Sequence, residues 1–134
     1  MIDKDNELMT PPGIQHTKEG DIQIIDISGK LTYGTTNYAK EAIKKNLDIT
    51  ADGYIIDMSG LEYIDSTGFG VLINIAKTIA EIDRKMAIIV TDSFVYDLFK
   101  ISKFHLVFPI VKTKAEGLQV LRDGFESSLS LRDY

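Results

Sequence analysis

Apolar and polar residues along the chain follow the periods of strands and helices in turn. Two short runs near the start, 14–17 and 22–27, flank the turn Glu19-Gly20-Asp21 and predict an antiparallel hairpin. Nearly continuous apolar runs are typical of strands buried on both faces. Three such runs lie at 54–58, 86–90 and 107–111. Together with the two strands of the hairpin they give five predicted strands.

Apolar residues at helical spacing predict four helices between and after these strands. Thr35, Thr36 and Asn37 offer capping oxygens for the first helix. We expect that helix to turn Tyr38, Ala42 and Ile43 toward the core and Lys40, Lys44 and Lys45 toward solvent. The other three helices are expected over 69–83, around 95–101 and over 115–121.

The resulting order, β-β-α-β-α-β-α-β-α, predicts an α/β fold. Its five-stranded sheet is mixed but mostly parallel, with about four helices packed on it. Residues 1–12 are polar and lack periodicity, so we expect a flexible lead-in before a domain over 13–121. Residues 122–134 are polar again and are expected to form a tail. The total of 134 residues suits one domain of ordinary size.

Composition narrows the chemistry that the chain can perform. The absence of cysteine excludes disulfide scaffolds, thiol catalysis and cysteine-ligated metal centres. The 20 acidic and 15 basic residues disfavour direct binding of nucleic acid, which requires a basic surface. No spacing of His, Asp and Glu indicates a metal site, and no motif indicates a cofactor. An acidic start and interrupted apolar runs predict a cytoplasmic protein without a membrane span.

The segment 57–72 carries the strongest functional signal, because it follows the most buried of the predicted strands. In open α/β sheets, functional groups collect at the carboxyl ends of the strands. Asp65, Ser66 or Thr67 lies where the next helix should be capped, and capping alone would explain these residue types. Gly68 and Gly70 are unusual in a first helical turn, where each costs about 1 kcal/mol relative to alanine.

The segments Asp57-Met58-Ser59 and 63–72, which reads Tyr-Ile-Asp-Ser-Thr-Gly-Phe-Gly-Val-Leu, resemble the signature of STAS domains. They are most similar to the bacterial anti-sigma factor antagonists within that family. The resemblance extends over roughly 13–121 through the order of strands and helices. One departure is Thr32, which follows Gly29-Lys30-Leu31 where many members of the family carry an aspartate.

This resemblance implies a non-enzymatic protein that takes part in partner switching in transcription regulation, in a stress response or sporulation. The unphosphorylated antagonist would bind an anti-sigma factor, itself an ATP-dependent serine kinase, and so free the sigma factor. The kinase would phosphorylate Ser66, with Thr67 as the fallback acceptor, and a serine phosphatase would reverse the reaction. The residues implied to contact the partner are Thr32, Ser59, Glu62, Asp65, Ser66, Thr67, Gly68 and Phe69.

Physical chemistry is consistent with such a switch. A helix N-terminus tolerates a phosphate, because its N–H groups and dipole favour negative charge. Phosphorylation of Ser66 would add a charge of about -1.5 to -2 beside Asp65 and near Glu62. We therefore expect the phosphate to block an interface and not to refold the domain.

Other classes of protein fit the sequence less well. Asp57 and Lys112 follow strands as in a phosphoaspartate receiver, but no acidic pair follows the first strand to hold magnesium. Ser66 lacks the leading glycine of a hydrolase nucleophile elbow, and only His16 and His105 could serve as its base. No P-loop motif occurs.

A STAS domain could also act as an adaptor or scaffold in another kinase and phosphatase circuit, or as an accessory subunit of a transporter. A ligand pocket built from aromatic residues is a further alternative, but their spacing predicts ordinary core with a few at the rim of a partner surface. These residues are Phe94, Tyr96, Phe99, Phe104 and Phe108.

Overall fold

The structure, a computed structural model, describes residues 10–124 of the chain. Its strands are β1 (Gly13–Glu19), β2 (Ile22–Leu31), β3 (Gly53–Asp57), β4 (Leu61–Ile64), β5 (Lys85–Ile89) and β6 (Ile110–Val111). Its α-helices are α1 (Thr36–Lys45), α2 (Ser66–Glu81), α3 (Ser93–Ile101) and α4 (Lys114–Asp123), and a 3-10 turn spans Phe104–Leu106.

The strands form one sheet in the order β1-β2-β3-β5-β6. β1 is antiparallel to β2, while β3, β5 and β6 add in parallel. This confirms the predicted α/β fold with a mostly parallel, mixed sheet and four helices. The sheet has a sixth strand, β4, which pairs in parallel with the end of β2 after a register shift between Gly29 and Lys30.

Helices cover the two faces of the sheet unequally. The larger core contains buried side chains of α1, α2 and α3, among them Ile43, Ile75 and Phe99. The smaller core lies on the other face, where Leu118 and Leu121 of α4 pack near buried strand residues. The two faces follow from the alternation of side chains along each strand.

Three details differ from the sequence predictions. Tyr38 is 50% exposed, and Ala39 and Ile43 of α1 are buried in its place, because the helix is rotated by about one residue from the predicted phase. The last strand is limited to Ile110–Val111, since a 3-10 turn and Pro109 precede it and proline has no N–H to donate. The helix α2 begins at Ser66, within the predicted capping segment, but it ends at Glu81, two residues before its predicted end at Asp83.

The predicted termini lie mainly beyond the described residues. Of the lead-in 1–12, residues 1–9 lie outside them, and so do residues 125–134 of the predicted tail. The helix α4 continues to Asp123, two residues into the segment that was expected to be tail. The boundaries at 13 and 121 therefore remain predictions.

Candidate functional site at the start of helix α2

The helix α2 begins at a hydrogen-bonded junction with the end of β2. Asp65 is its N-cap, and one carboxylate oxygen accepts hydrogen bonds from the Gly68 N–H at 2.9 Å and the Thr67 hydroxyl at 2.6 Å. The other oxygen accepts from the Tyr33 N–H at 2.9 Å. The Asp65 N–H donates to the Leu31 carbonyl at 3.2 Å. Asp65 thus joins the start of α2 to the loop that follows β2.

The hydrogen bonds at Asp65 also stabilise its charge. Burial by itself raises the pKa of this carboxyl, but the bonds from the Thr67 hydroxyl and the N–H groups of Gly68 and Tyr33 lower it by more. The pKa of Asp65 therefore lies below its ordinary value, and the residue is an anion at neutral pH. The negative charge beside Ser66 is a fixed feature of the surface.

Gly68 allows α2 to approach β2 closely. A Cβ atom at this position would lie 2.2 Å from the Leu31 carbonyl oxygen and 2.9 Å from the side chain of Ile64. Gly70, in contrast, is exposed, and a Cβ atom there would meet nothing within 4 Å. Of the two glycines, Gly68 is required by packing and Gly70 is not.

Ser66 and Thr67 are both exposed in the first turn of α2 but differ in their hydrogen bonds. The Thr67 hydroxyl is committed to Asp65. The Ser66 hydroxyl makes no hydrogen bond with any described residue. A hydroxyl without such a bond needs no rearrangement before it attacks a phosphoryl group, so the geometry favours Ser66 over Thr67 as an acceptor.

A groove of about 600 Å³ begins at Ser66 and lies between α2 and α3. We call it the α2–α3 groove. Its walls are mainly apolar, and its polar members include Asp65 and Ser66 themselves. Its lining residues are Tyr63, Ile64, Asp65, Ser66, Phe69, Gly70, Ile73, Phe94, Leu98, Ile101 and Ser102.

Phe69 anchors the floor of the groove to the core. Its ring packs edge-on against Phe99, with centroids 4.9 Å apart, and against Phe104 at 5.4 Å. Such edge-to-face pairs add about 0.5–1.5 kcal/mol beyond the area they bury. The groove therefore has a rigid base, although Phe69 is only partly buried.

Not all of the expected contact residues come together at Ser66. Asp65, Thr67 and Phe69 do, while Gly68 is buried beneath the surface.

Thr32 is only 5% exposed, so its side chain supports the loop and does not form surface. Glu62 is exposed but faces a separate shallow pocket with Lys30.

Ser59 is exposed and lies at the other end of β4 from Ser66. A strand of this length spans about 13 Å. The Ser59 N–H donates a hydrogen bond to the carboxylate of Asp57 at 2.9 Å, and this bond holds the turn that enters β4. The structure therefore places Ser59 at the edge of the region around Ser66 and not at its centre.

Several exposed side chains near this site were not expected from the sequence. Tyr33 is 78% exposed, in the loop that Asp65 holds. Phe94 and Tyr96 belong to the aromatic residues expected mainly in the core, with a few at the rim of a partner surface. Both are exposed, because the buried face of α3 carries Val95 and Phe99. Phe99 and Phe104 are buried as predicted. The helical phase of α3 could have revealed Phe94, whereas nothing in the sequence singles out Tyr33.

Two features of other protein classes are absent from the part of the chain that the structure describes. Residues 10–124 contain no group of three or more His, Asp or Glu side chains that could hold a metal ion. No helix within the same range has the length and apolar character needed to cross a membrane.

Comparison with protein families provides an independent assignment. The family model for the STAS domain matches residues 14–117, which cover most of the described chain. The chain belongs to the STAS domain family. The match includes the junction at Asp65, the groove, strands β2 to β6 and all of β1 except its first residue.

Solved structures of several other proteins have the same fold. An anti-sigma factor antagonist from Mycobacterium paratuberculosis superimposes with a TM-score of 0.75 at 16% identity, over 84% of this chain and 95% of that one. A putative anti-sigma factor antagonist from Thermotoga maritima gives 0.74 at 19%, over 81% and 94%. A sulfate transporter family protein from Wolinella succinogenes gives 0.66 at 14%, over 88% and 93%. No curated protein sequence matches the chain.

Proposed function

We propose that this STAS domain is an anti-sigma factor antagonist whose binding is switched by phosphorylation of Ser66. The unmodified protein binds an anti-sigma factor that is also a serine kinase, and so releases the sigma factor. The kinase phosphorylates Ser66 and ends the complex, and a serine phosphatase restores the unmodified form. The switch operates in the cytoplasm and regulates transcription through its partners, with no enzymatic activity or cofactor of its own.

The observation that carries this proposal is the setting of Ser66. Its hydroxyl is exposed in the first turn of α2, makes no hydrogen bond with the described residues, and lies directly after the Asp65 cap. A kinase acceptor must be exposed, and the Ser66 hydroxyl is more available than that of the neighbouring Thr67, which donates a hydrogen bond to Asp65. The similarity to antagonists from two bacteria adds support at the level of the fold.

The same setting explains how a phosphate would act. The first turn of α2 has the positive end of the helix dipole, so a phosphate on Ser66 is compatible with the fold. It would add a charge of about -1.5 to -2 beside the Asp65 carboxylate, which is already ionised. That charge would repel acidic groups of the partner and would occupy the mouth of the groove.

Phosphorylation with radiolabelled ATP tests the acceptor. The assay uses the cognate anti-sigma factor as the kinase, and the substrates are the wild-type protein and the variants Ser66→Ala and Thr67→Ala. We expect label on wild type and Thr67→Ala and none on Ser66→Ala. Label that persists on Ser66→Ala would move the acceptor elsewhere.

Titration calorimetry with the same kinase tests the switch. We expect Ser66→Asp to bind at least about tenfold more weakly than wild type, since one repulsive contact at the centre of an interface costs more than 1.4 kcal/mol. Near-identical circular dichroism and melting temperature should accompany this loss. Loss of folded structure in Ser66→Asp would contradict the mechanism of a blocked interface.

A further inference from the structure

The α2–α3 groove has more exposed apolar surface than the fold requires. Ile101 is 80% exposed and Phe94 is 56% exposed, and both line the groove with Tyr63. Contiguous exposed apolar surface on a protein marks a site of interaction more often than scattered single residues do. The described residues include other exposed apolar side chains, such as Ile49, but Ile49 does not line this groove.

Gly70 keeps the groove open at a cost to the helix. Glycine within a helix is less favourable than alanine by about 0.8–1.0 kcal/mol in host peptides. At Gly68 the close contact with Leu31 explains the residue, but a Cβ atom at Gly70 would meet nothing within 4 Å. A side chain there would occupy the groove, so the missing side chain preserves space for another molecule.

The position of the groove beside Ser66 indicates which molecule would bind there. Ile73, at its far part, is seven residues from Ser66 along α2, or about 10 Å at 1.5 Å per residue. A protein interface of standard size buries about 800 Å² per partner, a disc of about 16 Å radius. An interface of this size centred on Ser66 extends past Ile73, so a kinase that engages Ser66 can contact the groove as well.

We propose that the α2–α3 groove is a docking site for an apolar segment of the anti-sigma factor kinase, separate from the phosphoacceptor itself. This inference rests on the proposed function. The lining contains no basic side chain and one carboxylate, Asp65, at the end next to Ser66. The segment that fits is therefore apolar along its length, with any polar or basic residue at the Asp65 end. Large apolar anchors in such pockets supply most of the binding energy of an interface.

Two isoleucines provide a matched test. Ile101→Ser removes an exposed apolar side chain from the groove, and Ile49→Ser removes one of similar exposure, 66%, outside it. We expect the affinity of unmodified Ile101→Ser for the kinase to fall about tenfold or more in calorimetry, with Ile49→Ser within about twofold of wild type. Equal affinities for the two variants would overturn the proposal.

Gly70→Leu provides a second test that does not depend on removing a contact. Its Cβ atom would meet nothing within 4 Å, and the longer side chain would extend over the groove that Gly70 lines. We expect weaker binding of the kinase, by about tenfold, together with an unchanged or higher melting temperature. Binding as tight as wild type, with the leucine in place, would contradict the docking site.

The assays distinguish failure of the groove from failure of the proposed function. A wild-type protein that neither binds the kinase nor accepts phosphate on Ser66 would refute both proposals. Wild-type binding and labelling, with unchanged affinity in Ile101→Ser and Gly70→Leu, would refute the groove alone. Light scattering gives another check: a change in oligomeric state of Ile101→Ser with normal kinase affinity would assign the groove to a second copy of this chain and would also overturn the proposal.

Discussion

Contacts of single atoms decide which glycine of the STAS signature is needed for packing. Gly68 and Gly70 are two positions apart in the same helix, yet one lies against the Leu31 carbonyl and the other is exposed to solvent. The sequence shows two glycines with equal helix penalties and cannot separate these roles, because the close contact is with a residue more than thirty positions earlier. The three-dimensional contact is what distinguishes them.

Alanine at each of these positions should have opposite effects on stability. Gly68→Ala places a Cβ atom 2.2 Å from a backbone oxygen, so we expect a loss of about 1–3 kcal/mol in the free energy of unfolding. Gly70→Ala meets no neighbour and should gain up to about 1 kcal/mol. Urea denaturation measures both. A neutral Gly68→Ala would show that β2 and α2 can separate without cost.

The start of α2 shows how one element depends on another. The helix is capped by Asp65, whose carboxylate also binds the loop after β2, so the cap and the loop form together. The sequence predicted a cap at Asp65, Ser66 or Thr67 but could not choose among them. The choice depends on the Leu31 carbonyl and the Tyr33 N–H, which are distant in sequence.

Loss of the Asp65 cap should destabilise the domain more than loss of a cap that bonds only its own helix. Asp65→Ala loses hydrogen bonds to Gly68 and Tyr33, while the control Asp92→Ala, at the N-cap of α3, loses the bond to Val95. A single cap contributes about 0.5–2 kcal/mol, so we expect Asp92→Ala in this range and Asp65→Ala at or above its upper end. Thermal unfolding compares them. A smaller loss for Asp65→Ala would contradict the coupling of cap and loop.

The stabilisation of the domain by the Asp65 carboxylate should decrease in acid. The pKa of Asp65 is lowered in the folded state, so its stabilising effect is complete above the unfolded value, near 3.9, and is lost as pH falls through the lower folded value. The difference between wild type and Asp65→Ala should therefore be constant at neutral pH and shrink in acid.

The strand β4, which the sequence pattern does not predict, has a weak local pattern of burial. β4 has the burial order buried, exposed, exposed, buried, which lacks the alternation of a half-buried strand. It forms because β2 continues past the register shift at Gly29 and offers an unpaired edge. The long runs in β2, β3 and β5 and the periodic α2 were predictable, because their patterns reflect burial on whole faces of the sheet.

At the scale of the whole molecule, the parallel sheet brings together two carboxyl groups from neighbouring strands. Asp26 and Asp57 are direct partners in the register of β2 and β3. Burial raises the pKa of Asp26, and the neighbouring Asp57 carboxylate raises it further, while Lys114 acts in the opposite direction. The folded protein therefore holds two carboxyl groups close together on one face, at a cost that grows with pH.

Asp26→Asn should stabilise the protein at neutral pH. Because the pKa of Asp26 is raised, its favourable contribution is complete below the unfolded value, near 3.9, and is lost as pH rises through the folded value. Relief of a like-charge pair across strands gains about 0.2–1 kcal/mol. We expect urea denaturation to show this gain at pH 7 and little of it near pH 4. An equally large gain at both pH values, or from the exposed control Asp97→Asn, would contradict the charge argument.

The bond from the Tyr33 N–H to Asp65 has a consequence for how Ser66 would be recognised. The conformation of the first turn of α2 depends on backbone atoms contributed by the end of β2 and the loop after it. A short synthetic peptide that spans Ser66 lacks those atoms and cannot reproduce the turn. Under the proposed function, the acceptor would be a conformational epitope, and a search for substrates of the same kinase by linear consensus would overlook proteins that present the same shape.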